Sequence, residues 1–338
     1  MLIMTKSRPL KVCIYGAGAV GGTIGVLLAL AGADVSVIAH DATLTAIRND
    51  GLQLTKDGAT HLVRVRVTDD PSQLEPQDYV IVSVKAPSLE DVASHIAPLL
   101  NPGTKVITAM NGVPWWFFVG GNGVLSDTRL TAVDPHGIVE NAIPLAPTVG
   151  CVVYMACSVD APGKVRHNSG NKLIIGYADN SPVDELADIR DVLNSAGFSC
   201  HVTAAIRNDI WYKLWGNLSI NPISLLTGET SDVIINDPLV YDLCVHMMQE
   251  AAAIGEAIDI PMTVSTTDMI GRAKSLGAFK TSMLQDTEAG KPVELDALLT
   301  VAHDIGKIVD VPTPFIDSVL GLARLRARKL GLFDKVAA

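Results

Sequence analysis

Apolar positions along this chain follow two regimes. Up to about residue 204 they come in short runs separated by turn residues and by stretches of helical spacing. From Ala205 they recur at helical spacing almost to the end. In the first regime Val12–Tyr15, Asp34–Ala39, Tyr79–Val84 and Lys105–Ala109 read as strands of a buried parallel sheet. Helices are predicted over Val20–Ala31, Leu44–Asn49, Ser88–Leu100 and Pro182–Ala196. Turn signals end them at Gly32, Gly51, Asn101-Pro102-Gly103 and Gly197. Leu52–Leu54 and Leu62–Val67 look like strand pieces around Lys56-Asp57-Gly58. Thr148–Ser158, Gly163–His167 and Lys172–Ile175 add antiparallel strands, and Phe198–Val202 a final one. Strands alternating with helices predict a doubly wound parallel sheet over residues 1–204, followed by an all-helical domain over 205–338.

Between the first two strands lies Gly16-Ala17-Gly18-Ala19-Val20-Gly21, a G-x-G-x-x-G turn that opens a helix. In a strand–turn–helix the first glycine allows the tight turn and the second lets the backbone approach a pyrophosphate. The third lets helix pack on strand. Phosphates then face the free N–H groups at the helix start. The first domain is therefore read as a Rossmann-type dinucleotide-binding fold, giving an α/β class overall. The rival reading is a membrane or export segment, since residues 12–33 carry no charge, Lys6, Arg8 and Lys11 precede them, and Ala31-Gly32-Ala33 resembles a leader-cleavage site. Gly16, Gly18, Gly21, Gly22 and Gly25 argue against it, because each costs a continuous helix about 1 kcal/mol relative to alanine.

Composition narrows the picture further. The 338 residues are 48% hydrophobic and 18% charged with a net charge of −10, which argues against nucleic acid or an anionic membrane as partner. Five scattered cysteines with no C-x-x-C pair or metal spacing suit buried thiols in a reducing cytoplasm, and no metal site is expected. The basic cluster Arg324, Arg326, Arg328, Lys329 reads as the last turn of a helix. Val113–Pro147, with Trp115-Trp116-Phe117-Phe118 and Asp134-Pro135-His136-Gly137, reads as a loop with a short hairpin or as a lid. Its aromatics are a possible local core and His136 a structural turn residue.

Candidate chemistry falls at strand ends and on one helix. Lys85 and Asn111 follow predicted strands directly, where doubly wound sheets bind ligands. In the helix after Ala205, Lys213, Asn217 and Asn221 recur at i, i+4, i+8 on one face, opposite Ile210, Trp211, Leu214 and Leu218. A stripe of amides with one lysine suits a small oxygen-rich ligand; the plainer reading is a wet face. Pro222 should kink or break that helix. Pro292 fits a helix first turn, placing Glu294 near its start, where it could simply cap, as Ser282 could at another.

Taken together, Gly16–Gly22, Lys85, Asn111-Gly112, K-L-x-x-N-x-x-x-N-P at Lys213–Pro222 and S-M-L-Q-D-x-x-x-G-x-x-x-E-x-D at Ser282–Asp296 resemble the ketopantoate reductase (2-dehydropantoate 2-reductase) family over nearly the whole chain. The resemblance implies a cytoplasmic NADPH-dependent oxidoreductase of pantothenate biosynthesis, with a Rossmann domain, a helical domain and an active site between them. It implies Lys213 as general acid, Glu294 at the junction of cofactor and substrate, and Asn217, Asn221 and Ser282 as substrate contacts. Gly16 to Gly21, His40, Lys85 and Asn111 become cofactor contacts. The implied partner is a small 2-keto acid, and the helical domain offers a homodimer surface. Many members carry an arginine where this chain has His40, followed by Asp41, so NAD is a second cofactor candidate beside NADP, with Arg48 as a candidate compensating cation. The competing readings are another two-domain hydroxyacid or opine dehydrogenase, and a non-catalytic dinucleotide sensor.

Overall fold

In the computed structural model, which describes residues 8–121, 123–275 and 277–333, the chain divides into two compact units. One comprises Met1–Met110 with Ile138–Ile206, the other Asn111–Gly137 with Arg207–Ala338.

The first unit holds the sheet. Its elements are β1 (Lys11–Tyr15), α1 (Ala19–Leu30), β2 (Asp34–Ile38), α2 (Asp41–Asp50), β3 (Leu52–Lys56), β4 (Ala59–Val63), β5 (Arg66–Thr68), β6 (Tyr79–Val82), α3 (Leu89–His95) and β7 (Lys105–Thr108). After the excursion into the second unit come α4 (Ile138–Ala142), β8 (Thr148–Ala161), β9 (Lys164–Tyr177), α5 (Ala187–Ser195) and β10 (Ser199–Val202). Ten strands run in the order β4-β3-β9-β8-β7-β6-β1-β2-β5, with β10 paired to β9. The run β5-β2-β1-β6-β7-β8 is parallel throughout, so the chain winds outward in both directions from β1. That is the doubly wound arrangement, and its order reverses between β1 and β6.

Burial explains why these runs are strands. Val12, Ile14, Val80 and Val82 are fully or almost fully buried, as residues covered on both faces must be. The glycines of α1 set how closely it lies on the sheet: a Cβ at Gly22 would stand 2.8 Å from Val165 Cγ1, and one at Gly25 3.2 Å from Ile14 Cγ1. The uncharged stretch 12–33 is thus strand, turn and a twelve-residue helix. Among the described residues no helix is long and apolar enough to cross a membrane.

Two local expectations needed correction. The helix expected to reach Leu100 stops at His95, and Ala97–Leu99 forms a separate 3-10 turn. Pro98 has no N–H to donate, and its ring would collide with the carbonyl four residues back. The antiparallel pieces after Thr148 are one long hairpin, β8 and β9, whose register shifts absorb the irregular middle. The turn expected at Lys56-Asp57-Gly58 is present: Asp57 and Gly58 both have positive φ, so β3 and β4 join in a tight hairpin.

The second unit is helical: α6 (Ile206–Thr227), α7 (Ser231–Asn236), α8 (Pro238–Ala257), α9 (Thr266–Ser275), α10 (Ser282–Glu288), α11 (Val301–Ile308) and α12 (Pro314–Lys329). Ile210, Trp211, Leu214 and Leu218 bury one face of α6, and the Trp215 indole donates to Met248 O at 2.7 Å. Pro222 does not break α6, which continues to Thr227. Ser219 and Ser224 hydroxyls donate to Gly216 O and Asn221 O, supplying donors to nearby helix carbonyls.

The segment 111–137 belongs to this helical unit rather than to the sheet. Its described residues form turns, not a hairpin, around an aromatic cluster in which Trp115, Trp116, Phe117 and Phe118 are all buried. Phe117 lies 6.1 Å from the Trp211 ring. Arg207, in the first turn of α6, donates to Phe117 O at 2.7 Å and Val119 O at 2.8 Å and sits over Trp116. The local-core reading of the aromatics therefore holds.

Candidate active site

In the first unit the three glycines do different work. Gly16 takes φ +99, and a Cβ there would meet Val84 Cγ1 at 2.7 Å. At Gly21 a Cβ would stand 2.1 Å from Ser83 Oγ and 2.2 Å from Gly16 O, so the helix start cannot approach the strand end with any larger residue. Gly18 is unlike both. Its φ of −73 suits any residue, it is exposed, and nothing lies within 4 Å of where a Cβ would point. The folded chain itself does not require glycine there. The open space fits a group that comes against the backbone from outside, as a pyrophosphate does. Ala17 is buried, Ala19 and Val20 begin α1, and the first turn carries no acid to oppose an anion.

Ser83, which the sequence reading passed over, secures this turn. Its hydroxyl donates to Gly16 O at 2.8 Å and its N–H to Tyr15 O at 3.0 Å. The signal available was its position one residue beyond the β6 apolar run, at the order reversal. Lys85 is half-buried two residues further, leading into the 3-10 turn Ala86–Ser88. His40 is exposed just before α2, and Asp41 opens that helix with φ +49. Arg48 sits in the last turn of α2, about 10 Å along the axis from Asp41.

In the second unit Lys213 is half-buried and its Nζ donates to Asn111 Oδ1 at 2.6 Å. Two residues 102 apart in sequence are thereby joined. Asn217 is half-buried and Asn221 only 6% exposed, yet neither side-chain amide hydrogen-bonds to another group among the described residues. An amide in that position has bonding capacity to offer a ligand. Ser282 is exposed as the first residue of α10, whose capping residue Thr281 meets Ser224 Oγ of α6 at 2.5 Å. That bond ties the start of α10 to the turn of α6 that follows Asn221.

Glu294 is half-buried, but not inside a helix start as expected. Residues 291–294 form no regular element, and helix begins at Leu295 with a wide π-turn over Asp296–Thr300. Pro292 therefore stands in the irregular lead-in, three residues ahead of the helix. The Asn111-Gly112-Val113 turn seats on this π-turn: Val113 N–H donates to Ala297 O at 3.0 Å, and a Cβ on Gly112 would stand 2.3 Å from the same oxygen. Lys213, Asn111 and the stretch just after Glu294 are thus linked through direct contacts.

Other chemistry is less well supported. Among the described residues no three His, Cys, Asp or Glu are placed to hold a metal ion. All five cysteines are free; four are buried, and Cys157 is half-exposed rather than buried as expected. Burial pushes the thiols of Cys13, Cys200 and Cys244 up to about 12, which keeps them protonated and poor nucleophiles at neutral pH.

A doubly wound sheet with an open glycine cradle, and a separate helical unit carrying a held lysine beside uncommitted amides, define a class: the two-unit, dinucleotide-binding oxidoreductases. Comparison with known proteins narrows it. The family model described as Ketopantoate reductase PanE/ApbA matches residues 12–180, and the one described as Ketopantoate reductase PanE/ApbA C terminal matches residues 205–327. The chain belongs to the ketopantoate reductase family. A 2-dehydropantoate 2-reductase of Mesorhizobium japonicum is 43% identical over 96% of this chain and 100% of its own length. A structure from Ralstonia solanacearum MolK2 assigned to the ketopantoate reductases is 50% identical with a TM-score of 0.92, covering 96% of this chain and 100% of that one. A D-mandelate dehydrogenase structure, at 21% identity and a TM-score of 0.82 over 96% of this chain and 100% of that one, shares the fold.

Proposed function

We propose that this protein reduces 2-dehydropantoate to pantoate at the expense of a reduced nicotinamide dinucleotide, in the cytoplasm, as a step of pantothenate and coenzyme A biosynthesis. The observation that carries the reading is the Lys213 ammonium donating to Asn111 Oδ1 at 2.6 Å on a helix whose next two polar turns offer uncommitted amides. The family and the 43% identical 2-dehydropantoate 2-reductase support the substrate.

The sheet unit is the dinucleotide-binding domain and the helical unit the substrate domain. Gly16 to Gly21 hold the pyrophosphate, with Gly18 giving it room. Lys85 and His40 flank that turn from neighbouring strand ends, and Asn111 serves both cofactor and lysine. The nicotinamide, when bound, supplies the hydride that reaches the keto carbon. Lys213 polarises the keto oxygen and gives it the proton, leaving a neutral amine that solvent recharges. Asn217 and Asn221 bind the substrate hydroxyls, Ser282 its carboxylate, and Glu294 balances the ammonium electrostatically. Leu239, Leu322 and Leu325 are exposed apolar side chains of the helical unit, of the kind a homodimer contact would cover.

NADPH is the cofactor proposed, in line with the family resemblance. A second reading, NADH, is favoured by one observation: the strand end carries His40 and Asp41, an acceptor suited to a free ribose hydroxyl, while Arg48 lies at the far end of α2. Oxidation of NADPH and NADH, followed in parallel across a panel of 2-keto acids, tests both. Turnover highest with 2-dehydropantoate is expected. No oxidation with any acid would replace the enzyme by a dinucleotide sensor.

A further inference from the structure

We propose that the π-turn Asp296–Thr300 is the positioning device for Lys213, with Thr300 as its clamp. The proposal rests on the function just given and adds a residue that it does not require. A π-turn holds one more residue than an α-helical turn, so its backbone pairing is interrupted and its shape needs outside support. Here Val301 N–H donates to Asp296 O across the widened turn. The Thr300 hydroxyl spans the same turn from the side-chain side, donating to Asp296 Oδ1 at 2.7 Å. Arg324 of α12 donates through Nη2 to Thr300 Oγ1 at 2.8 Å, while its Nε is buried without a partner among the described residues. Thr300 thus both accepts and donates, which fixes its rotamer and the turn together.

What the turn supports is the holder of the lysine. Ala297, its second residue, accepts from Val113 N–H and lies against Gly112, where φ is +80 and no side chain fits. Asn111 comes next in the chain, and its Oδ1 receives the Lys213 ammonium at 2.6 Å. The path runs from Arg324 to Thr300 and on to Asp296 by hydrogen bonds, along the backbone to Ala297, across to Val113 and Gly112 by a hydrogen bond and close packing, and along the backbone again to Asn111. Thr300 is a positioning residue, since it reaches the reacting atoms only through Asn111 and Lys213.

The test uses Thr300→Val, which keeps the shape and removes the hydroxyl, beside Thr300→Ser, which restores it. Thr300→Val is expected to lower kcat about tenfold, one hydrogen bond's worth of positioning. KM for the keto acid and the NADPH dissociation constant should stay within about twofold, and Thr300→Ser should recover most of kcat. Gly112→Ala, acting at the other end of the path, should lower kcat at least as much. Parental kcat in Thr300→Val would overturn the proposal, as would equal losses in Val and Ser variants, which would mean packing alone. Lys213→Ala is run alongside: parental turnover there would overturn the underlying function and this proposal with it. Loss in Lys213→Ala with parental Thr300→Val overturns the positioning role alone.

Discussion

The sheet unit and the helical unit prepare for their ligands in opposite ways. In the sheet unit the decisive feature is an omitted side chain: Gly18 leaves open space beside bare backbone, while Gly16 and Gly21 on either side are fully used by packing. In the helical unit the decisive feature is a side chain held by another, Lys213 on Asn111, with the Asn217 and Asn221 amides left uncommitted. A site made of backbone is as rigid as the fold that carries it. A site made of long side chains is only as rigid as its supports; here the holder, Asn111, is followed by Gly112 and Val113, which seat on the π-turn.

The largest effect that would sharpen this contrast is on Lys213→Ala. Loss of a general acid should lower kcat by about 10²–10⁴-fold while NADPH affinity, read by fluorescence titration, stays nearly unchanged. An equal collapse of affinity would erase the division of labour. Next come the glycines. Gly21→Ala forces a Cβ into Ser83 Oγ and Gly16 O and should destabilise by about 2–3 kcal/mol, seen as a lowered melting temperature. Gly18→Ala meets nothing in the folded chain, so it should melt as the parent does but bind dinucleotide more weakly. Identical behaviour of the two variants would contradict the distinction between packing glycine and ligand glycine. His40→Arg should then raise the NADPH-to-NADH ratio of kcat/KM about tenfold by adding a phosphate partner, without moving kcat for either.

The smallest effect is structural and concerns how β1 begins. Asp78 accepts from Lys11 N–H at 2.8 Å and pairs with Arg8. Partial burial would raise its carboxyl pKa, but the Arg8 guanidinium and the Lys11 N–H outweigh that and hold it below the ordinary 3.8. Its stabilisation is therefore present above pH 3.8 and disappears as pH falls through the lowered folded value. Asp78→Asn should cost about 1 kcal/mol or less at neutral pH, given how exposed the pair is, and the gap to the parent should close in acid.

Much of the first unit was legible because its signals are local. Val12–Tyr15, the glycine turn and the apolar helix follow one another within twenty residues, and spacing alone separates strand from helix. The misreadings were also local in cause: Pro98 cut a helix short, whereas Pro222, with serine hydroxyls beside it, did not. The stripe Lys213, Asn217, Asn221 was visible as periodicity, but periodicity could not distinguish a wet helix face from a half-buried lysine held by Asn111 beside amides with little exposure.

By itself, then, the order of residues determined the doubly wound sheet, the helical second half and the residue types available for chemistry, since those depend on neighbours a few positions apart. Only the tertiary structure decided that 111–137 packs with α6, that Glu294 precedes a π-turn, and that Lys213 meets Asn111. The contacts of Arg207 with Phe117, Lys213 with Asn111 and Val113 with Ala297 join residues far apart in sequence, and no local spacing rule reaches that far; they exist because burying the aromatic cluster and satisfying the π-turn carbonyl bring the segments together.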